Sequence, residues 1–176
     1  MSSAAPYTPH LPRIAVALGD PAGIGPEIAL KAALDPSVRA IIIVNPNNPT
    51  GTIVKKAEVD RFISKVPEHA LIIMDEAYFE YVKDADYPDS LQYMREGRNV
   101  LVIRTFSKAY GLAGLRIGYG IARQEIIDTL QKVRMAFNTG SLAQVAALAA
   151  LDDEAHVQRT VESNRNESVF LSRELA

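Results

Sequence analysis

The chain contains no cysteine among its 176 residues, which excludes disulfide bonds and cysteine-ligated metal or iron–sulfur sites. Its three histidines, His10, His69 and His156, are far apart in the sequence, so no metal site is expected. No apolar run is long enough to span a bilayer, and the first residues lack the basic start and apolar stretch of a secretory signal. We therefore expect a cytoplasmic protein.

Positive and negative charges nearly balance. The formal net charge of -2 gives no reason to expect nucleic acid or an anionic membrane as a partner. Hydrophobic residues make up 48% of the chain, which is enough to build one core at this length. We expect residues 1–12 to be a flexible, proline-rich leader and residues 13–176 to form a single α/β domain.

Short apolar runs separated by helical segments predict the α/β class. Four runs predict strands: RIAVAL near 13–18, AIIIVN near 40–45, ALIIMD near 70–75 and NVLVIRTF near 99–106. They are almost continuously apolar, which is typical of parallel strands buried on both faces. RIGYGIA near 116–122 predicts a fifth strand. AEVDRFISKV has a helical apolar stripe, GPEIALKAAL reads as a helix start, and three helix-compatible segments follow residue 122.

Polar clusters follow the first four predicted strands: GDPAGIGPE, NPNNPTG, DEAYFEY and TFSKAYG. In parallel sheets ligands bind at the carboxyl ends of the strands, so we expect these clusters to converge. Asp75 directly follows an apolar strand. Lys108 is expected in a comparable place, where burial would lower its pKa and make the amine a better nucleophile. A lysine, an aspartate, tyrosines, an asparagine and an arginine at one rim are the parts of a pyridoxal phosphate site.

Three of these motifs also carry a family resemblance. NPNNPTG, DEAYFEY and RTFSKAYGLAGLRIGYG together resemble the fold-type I, pyridoxal-phosphate-dependent aminotransferases, and most of all the histidinol-phosphate aminotransferases. The resemblance covers roughly residues 41–176. It implies pyridoxal phosphate as cofactor and, as ancestral reaction, transamination of histidinol phosphate with 2-oxoglutarate. It also implies a small-molecule amine substrate and a homodimer.

The resemblance assigns roles to seven residues. Lys108 would form the Schiff base with the cofactor and then act as general acid and base. Asp75 would pair with the ring nitrogen, and Tyr78 and Asn48 would hydrogen-bond the phenolic oxygen. Three residues would hold the phosphate: Thr105, Ser107 and Arg116.

The family's topology implies a three-layer sandwich with a mostly parallel five-stranded sheet and flanking helices. The implied strand order is 1-5-4-3-2, with the fifth strand antiparallel, as in a truncated large domain of these transferases. The family's substrate-carboxylate arginine, ring-stacking aromatic residue and partner-subunit tyrosine find no match in this chain. We therefore expect transamination to be weak or absent.

The amino-terminal segment resembles a different family. Residues 13–39, which include GDPAGIGPE, are similar to the start of the NAD-dependent 4-hydroxythreonine-4-phosphate dehydrogenases. The chain thus reads as a chimera, engineered or recombined, with its seam near Arg39–Ile41. The Gly19–Glu27 loop could be a structural helix start or a substitute phosphate cup.

Alternative interpretations stay open at this point. The whole chain could be a non-catalytic, engineered α/β scaffold or, less readily, a fragment of an NAD-dependent dehydrogenase. Lys108 could be a solvated surface lysine, Asn48 a turn former and Asp75 a helix or turn cap. Tyr78 could pack at the rim of the core. Three further residues could simply bond backbone groups or a surface acid: Thr105, Ser107 and Arg116.

Overall fold

The protein is described by a computed structural model that covers residues 13–17, 34–35 and 37–175, with the backbone alone for residues 13–17. Its sheet has five strands: β1 (Arg13–Ala17), β2 (Val38–Val44), β3 (Leu71–Asp75), β4 (Val100–Thr105) and β5 (Gly118–Ala122). Neighbouring strands from β1 to β4 are parallel, and β5 is antiparallel to β4. The predicted α/β class, with a mostly parallel sheet and an antiparallel fifth strand, is confirmed.

The predicted order of the strands is wrong. The strands lie in the order β1-β2-β3-β4-β5, rather than 1-5-4-3-2. β1 pairs with β2, from Ile14 opposite Ala40 to Ala17 opposite Ile43, and is therefore at the far edge from β5. Without β1, the sheet β2-β3-β4-β5 would end at β2 on one side and at β5 on the other, so β1 could have paired with either strand. The chain uses the edge of β2, the strand that follows β1 in sequence, as consecutive strands most often do.

Five helices flank the sheet in the described part of the chain: α1 (Lys56–Lys65), α2 (Ser90–Arg95), α3 (Gln124–Val133), α4 (Ser141–Asp152) and α5 (Glu154–Glu174). Two short 3-10 turns lie at Phe79–Tyr81 and Ala113–Leu115. The sequence patterns anticipate α1, α4 and α5 to within one or two residues, whereas α3 ends at Val133, before the RMAF that the pattern includes. Along the described residues, no helix is long and apolar enough to cross a membrane.

One face of the sheet is fully buried. Its apolar side chains alternate along β2, β3 and β4, and α1 covers them with Val59 and Ile63 from its predicted stripe. The central members are at most 1% exposed: Ile41, Ile72, Met74, Val100 and Val102. Side chains of β2 and β3 on the other face, such as Ile42 and Ile73, are only half-buried. The expectation of equal burial on both faces is therefore not met among the described residues.

Candidate functional site

Three of the four polar clusters lie at the carboxyl edge of the sheet in the described structure. They follow β2, β3 and β4, as the sequence predicts. The fourth, Gly19–Glu27 after β1, lies outside the described residues. Because parallel strands end at one edge, the loops after β2, β3 and β4 are brought together there.

Asn45 fixes the loop that follows β2. Its side chain is fully buried, and its amide exchanges two hydrogen bonds with the backbone of Val54: Nδ2 donates to the carbonyl at 3.0 Å, and Oδ1 accepts from the N–H at 2.9 Å. The backbone N–H of Asn45 donates to the carbonyl of Asp75, at the end of the neighbouring strand. The NPNNPTG loop is therefore held at both of its ends, and its middle residues are left exposed at the rim.

Asn48, Tyr78 and Lys108 meet at this rim. The side-chain amide of Asn48 donates to the hydroxyl of Tyr78 at 2.9 Å. The Nζ of Lys108 lies 5.2 Å from the centre of the Tyr78 ring, which is within the range of a cation–π contact. Three residues from three different loops thus contact one another through Tyr78.

Lys108 differs from its prediction in one respect. Its side chain is exposed, whereas the sequence places it in a buried position. The reason is that β4 ends at Thr105, so the lysine lies on the loop beyond the strand rather than inside the sheet. The neighbours Phe106 and Ala109 take the buried positions instead. The amine is accordingly reached from solvent, beside the ring of Tyr78.

Asp75 is the last residue of β3 and is half-buried. Its Oδ1 accepts from the backbone N–H of Ala77 at 3.2 Å, so the side chain stabilises the turn that follows the strand. Its register partner in β4 is Ile103, two positions before Thr105. Asp75 thus acts as a turn residue here, at the same rim as Lys108.

Two of the residues expected at a phosphate are joined. The backbone N–H of Ser107 donates to Oγ1 of Thr105 at 3.1 Å, and that hydroxyl lies 3.5 Å from the carbonyl of Ile117. Arg116 has a left-handed backbone, with φ of 54°, and an exposed side chain. Its guanidinium donates to the carbonyl of Ala113 at 2.9 Å, within its own loop. In the described structure the guanidinium of Arg116 therefore bonds its own loop rather than the side chain of Thr105 or Ser107.

A buried ion pair lies under this rim, and sequence reasoning missed it. The Glu76 side chain is fully buried, and its Oε2 accepts from Nε and Nη2 of Arg104 at 2.9 and 2.7 Å. The guanidinium also stacks over the ring of Phe79, 3.6 Å from its centre. Burial raises the pKa of Glu76 above its ordinary value, and the nearby Ser90 hydroxyl and the Arg104 guanidinium only partly offset that effect. The signal was present in the sequence as an acid directly after a buried strand.

Comparison with known proteins identifies the family. The model of the family described as aminotransferase class I and II matches residues 27–176. The chain belongs to this aminotransferase family. The histidinol-phosphate aminotransferase of Akkermansia muciniphila is 56% identical over 134 residues, which are 76% of this chain and 36% of that protein. The corresponding enzyme of Moorella thermoacetica is 54% identical over 144 residues, which are 81% of this chain and 37% of that protein.

Solved aminotransferase structures share the fold. The histidinol-phosphate aminotransferase of Sinorhizobium meliloti, determined in complex with pyridoxal 5′-phosphate, has a TM-score of 0.77 and 28% sequence identity. The match covers 89% of this chain and 48% of that one. The chain thus spans a little over a third of the curated relatives it matches and about half of this structural neighbour. The aminotransferase match begins inside residues 13–39, and the dehydrogenase resemblance of that segment stays a prediction.

A groove runs from the rim of the aminotransferase fold toward its last helix. It has a volume of about 610 Å³ and begins beside the Asn48–Tyr78 hydrogen bond. Polar side chains line its far part: Tyr81, Lys83, Asp84, Asn164 and Ser168. Burial raises the pKa of Tyr81 above its ordinary value. The volume of the groove falls in the range of about 300–1,000 Å³ that is usual for small-molecule sites.

Proposed function

We propose that this chain is a pyridoxal-phosphate-binding, aminotransferase-like domain whose ancestral reaction is transamination of histidinol phosphate with 2-oxoglutarate. One observation carries the proposal: Asn48, Tyr78 and the exposed amine of Lys108 meet at the carboxyl edge of the sheet. The relatives named above, and the neighbour solved with pyridoxal 5′-phosphate, support the same cofactor and the same substrate class.

The donor set fits this cofactor. Lys108 offers an accessible primary amine, whose nitrogen can join the cofactor's aldehyde carbon with loss of water. Asp75 would hold a proton on the ring nitrogen. The Tyr78 hydroxyl and the Asn48 amide already share a hydrogen bond and would together face the phenolic oxygen. The phosphate would be held by the hydroxyls of Thr105 and Ser107 and by the guanidinium of Arg116, which is exposed and would exchange its hydrogen bond to the Ala113 carbonyl for one to the phosphate.

The chain's residues would then divide the chemistry in a simple way. When bound, the cofactor supplies an electron sink for the bonds around the substrate's amine-bearing carbon. Lys108, released as the substrate amine takes its place, would take the proton from that carbon at Nζ and deliver it to the carbon that was the cofactor's aldehyde carbon. Tyr78 would keep Nζ close to the reacting atoms through its ring. The groove beyond Tyr78 would take the rest of the substrate.

The proposal extends to partners and location. Four apolar side chains of α4 are exposed, and we infer that they support a homodimer: Leu142, Val145, Leu148 and Leu151. A small-molecule amine as substrate and a cytoplasmic location belong to the same proposal.

Reductive labelling tests the proposal directly. The purified chain is titrated with pyridoxal phosphate, reduced with borohydride, digested and mapped. We expect one main adduct, on Lys108, which is absent from Lys108→Ala and retained in Lys132→Ala. Lys132 lies exposed on α3 and serves as the matched control.

The opposite result of the labelling experiment would also be informative. Labelling that is absent, or spread evenly over surface lysines, would overturn the proposal and favour the non-catalytic scaffold. Binding without a measurable half-reaction toward histidinol phosphate would retain the cofactor site and remove the substrate assignment.

A further inference from the structure

The Glu76–Arg104 pair joins the two strand ends that carry the candidate site. Glu76 directly follows Asp75, and Arg104 directly precedes Thr105. The backbone N–H of Glu76 also donates to the carbonyl of Ile103 at 2.9 Å. One backbone hydrogen bond and one ion pair therefore connect β3 and β4 at the very point where both strands end.

The ion pair and the side chains of Asp75 and Thr105 lie on opposite faces of the sheet. Side chains alternate along a strand, so Glu76 continues the buried face of Met74, while Asp75 points the other way. In β4, Arg104 continues the face of Val102, and Thr105 points away from it. The ion pair therefore connects the two strand ends on the buried face of the sheet, and neither of its residues is among those of the candidate rim.

The pair is costly, and core packing does not require it. Removing a carboxylate from water has a large free-energy cost, and a well-packed apolar pair of the same size is often as stable as a buried ion pair. The second carboxylate oxygen of Glu76 lacks a hydrogen-bond partner, although the buried side chain of Ser90 lies near it. What the pair does provide is directional: two guanidinium nitrogens meet one carboxylate oxygen, with the Phe79 ring stacked on the guanidinium.

We propose that Glu76 and Arg104 are positioning residues, which set the separation and orientation of the strand ends that carry Asp75 and Lys108. The inference rests on the proposed function, because a fixed separation matters only if both residues hold one cofactor. A displacement of about 1 Å in such a site is enough to cost on the order of a hundredfold in its chemistry.

Two variants separate charge from geometry. Glu76→Gln keeps the size of the side chain and removes its charge. Arg104→Lys keeps the charge and removes the two-nitrogen contact. Asp86→Asn is the matched control, because it makes the same acid-to-amide change at an exposed ion pair with Lys55. If Glu76→Gln fails to fold, Arg104→Lys carries the test alone.

Cofactor affinity is the first measurement. We expect the dissociation constant of pyridoxal phosphate at Lys108 to rise on the order of tenfold or more in either variant. The pH dependence of the visible absorbance of the bound cofactor should also change, and a loss of stability alone would not cause that change. Asp86→Asn should match the unaltered chain. Variants that lose unfolding free energy but keep the affinity and the pH profile would overturn the inference.

A second measurement needs no cofactor and keeps the two proposals apart. Crystal structures of the cofactor-free unaltered chain and of Glu76→Gln would compare the separation between the Asp75 carboxylate and the Lys108 Nζ. We expect this separation to change or to vary between copies in Glu76→Gln; an unchanged separation overturns the positioning role. If the unaltered chain shows no adduct on Lys108, the proposed function fails, and this comparison still decides whether the pair sets the strand ends.

Discussion

The sheet with α1 and the segment that follows β5 differ in how far their apolar side chains are buried. Under α1, the apolar residues of β2, β3 and β4 are almost completely removed from water. In α3, α4 and α5, large apolar residues remain exposed, as with Leu148 at 67% and Val133 at 77%. Both regions have regular secondary structure. The difference shows that the first region forms its own core, whereas the described part of the second leaves much of its apolar surface uncovered.

The largest expected effect compares one residue from each region. Ile72→Ala should lower the free energy of unfolding by about 2–5 kcal/mol, because Ile72 is 1% exposed and its removal leaves a cavity. Leu148→Ala should change it by about 0.5 kcal/mol or less, because its side chain already contacts water. Denaturant unfolding of both variants measures the contrast. Equal losses would show that the two regions are equally packed.

A smaller effect concerns association rather than stability. The exposed apolar face of α4 should make the unaltered chain associate as its concentration rises. Leu148→Lys should weaken this association, as measured by sedimentation velocity. Gln144→Lys, one helical turn earlier, is the control, because it adds the same charge without removing an apolar side chain. If both variants associate as the unaltered chain does, α4 is not the contact surface.

The smallest effect concerns the polar edge of the well-packed region. Lys56, and then the hydroxyl of Tyr93, lower the pKa of the Asp60 carboxyl below its usual 3.8 through hydrogen bonds. The resulting stabilisation is complete above that usual value and is lost as the pH falls through the lowered pKa of the folded state. Because the pair is exposed, we expect about 1 kcal/mol or less.

Acid unfolding measures this contribution. Asp60→Asn should unfold with less dependence on pH below 3.8 than the unaltered chain does, and Tyr93→Phe should fall between them. A steeper dependence in Asp60→Asn would contradict the sign of the effect.

The sequence predicts the secondary-structure elements better than it predicts which strands are neighbours in the sheet. The apolar runs locate β2, β3 and β4 to within two residues, because burial imposes the composition of each strand. The order of the strands was not predicted correctly, because nothing in the sequence shows whether β1 pairs with β2 or with β5. Residues of the candidate rim were found through their motifs. The exposure of Lys108 was not predicted, because it depends on where β4 ends.

The Glu76–Arg104 pair illustrates the same limit. Each residue could have been noted alone, as a charge at the end of an apolar strand. Their contact depends on the register between β3 and β4, which places residues 28 positions apart side by side. No periodicity along one strand carries that information.

The buried amide of Asn45 has a consequence for motion. Val54 belongs to neither a strand nor a helix, yet its N–H and carbonyl are both bonded to the Asn45 side chain, as they would be to a neighbouring strand. The amide of Val54 should therefore exchange its hydrogen with solvent as slowly as amides of the sheet do. Asn45 and Val54, which flank the exposed part of the loop that carries Asn48, are in this sense an extension of the sheet.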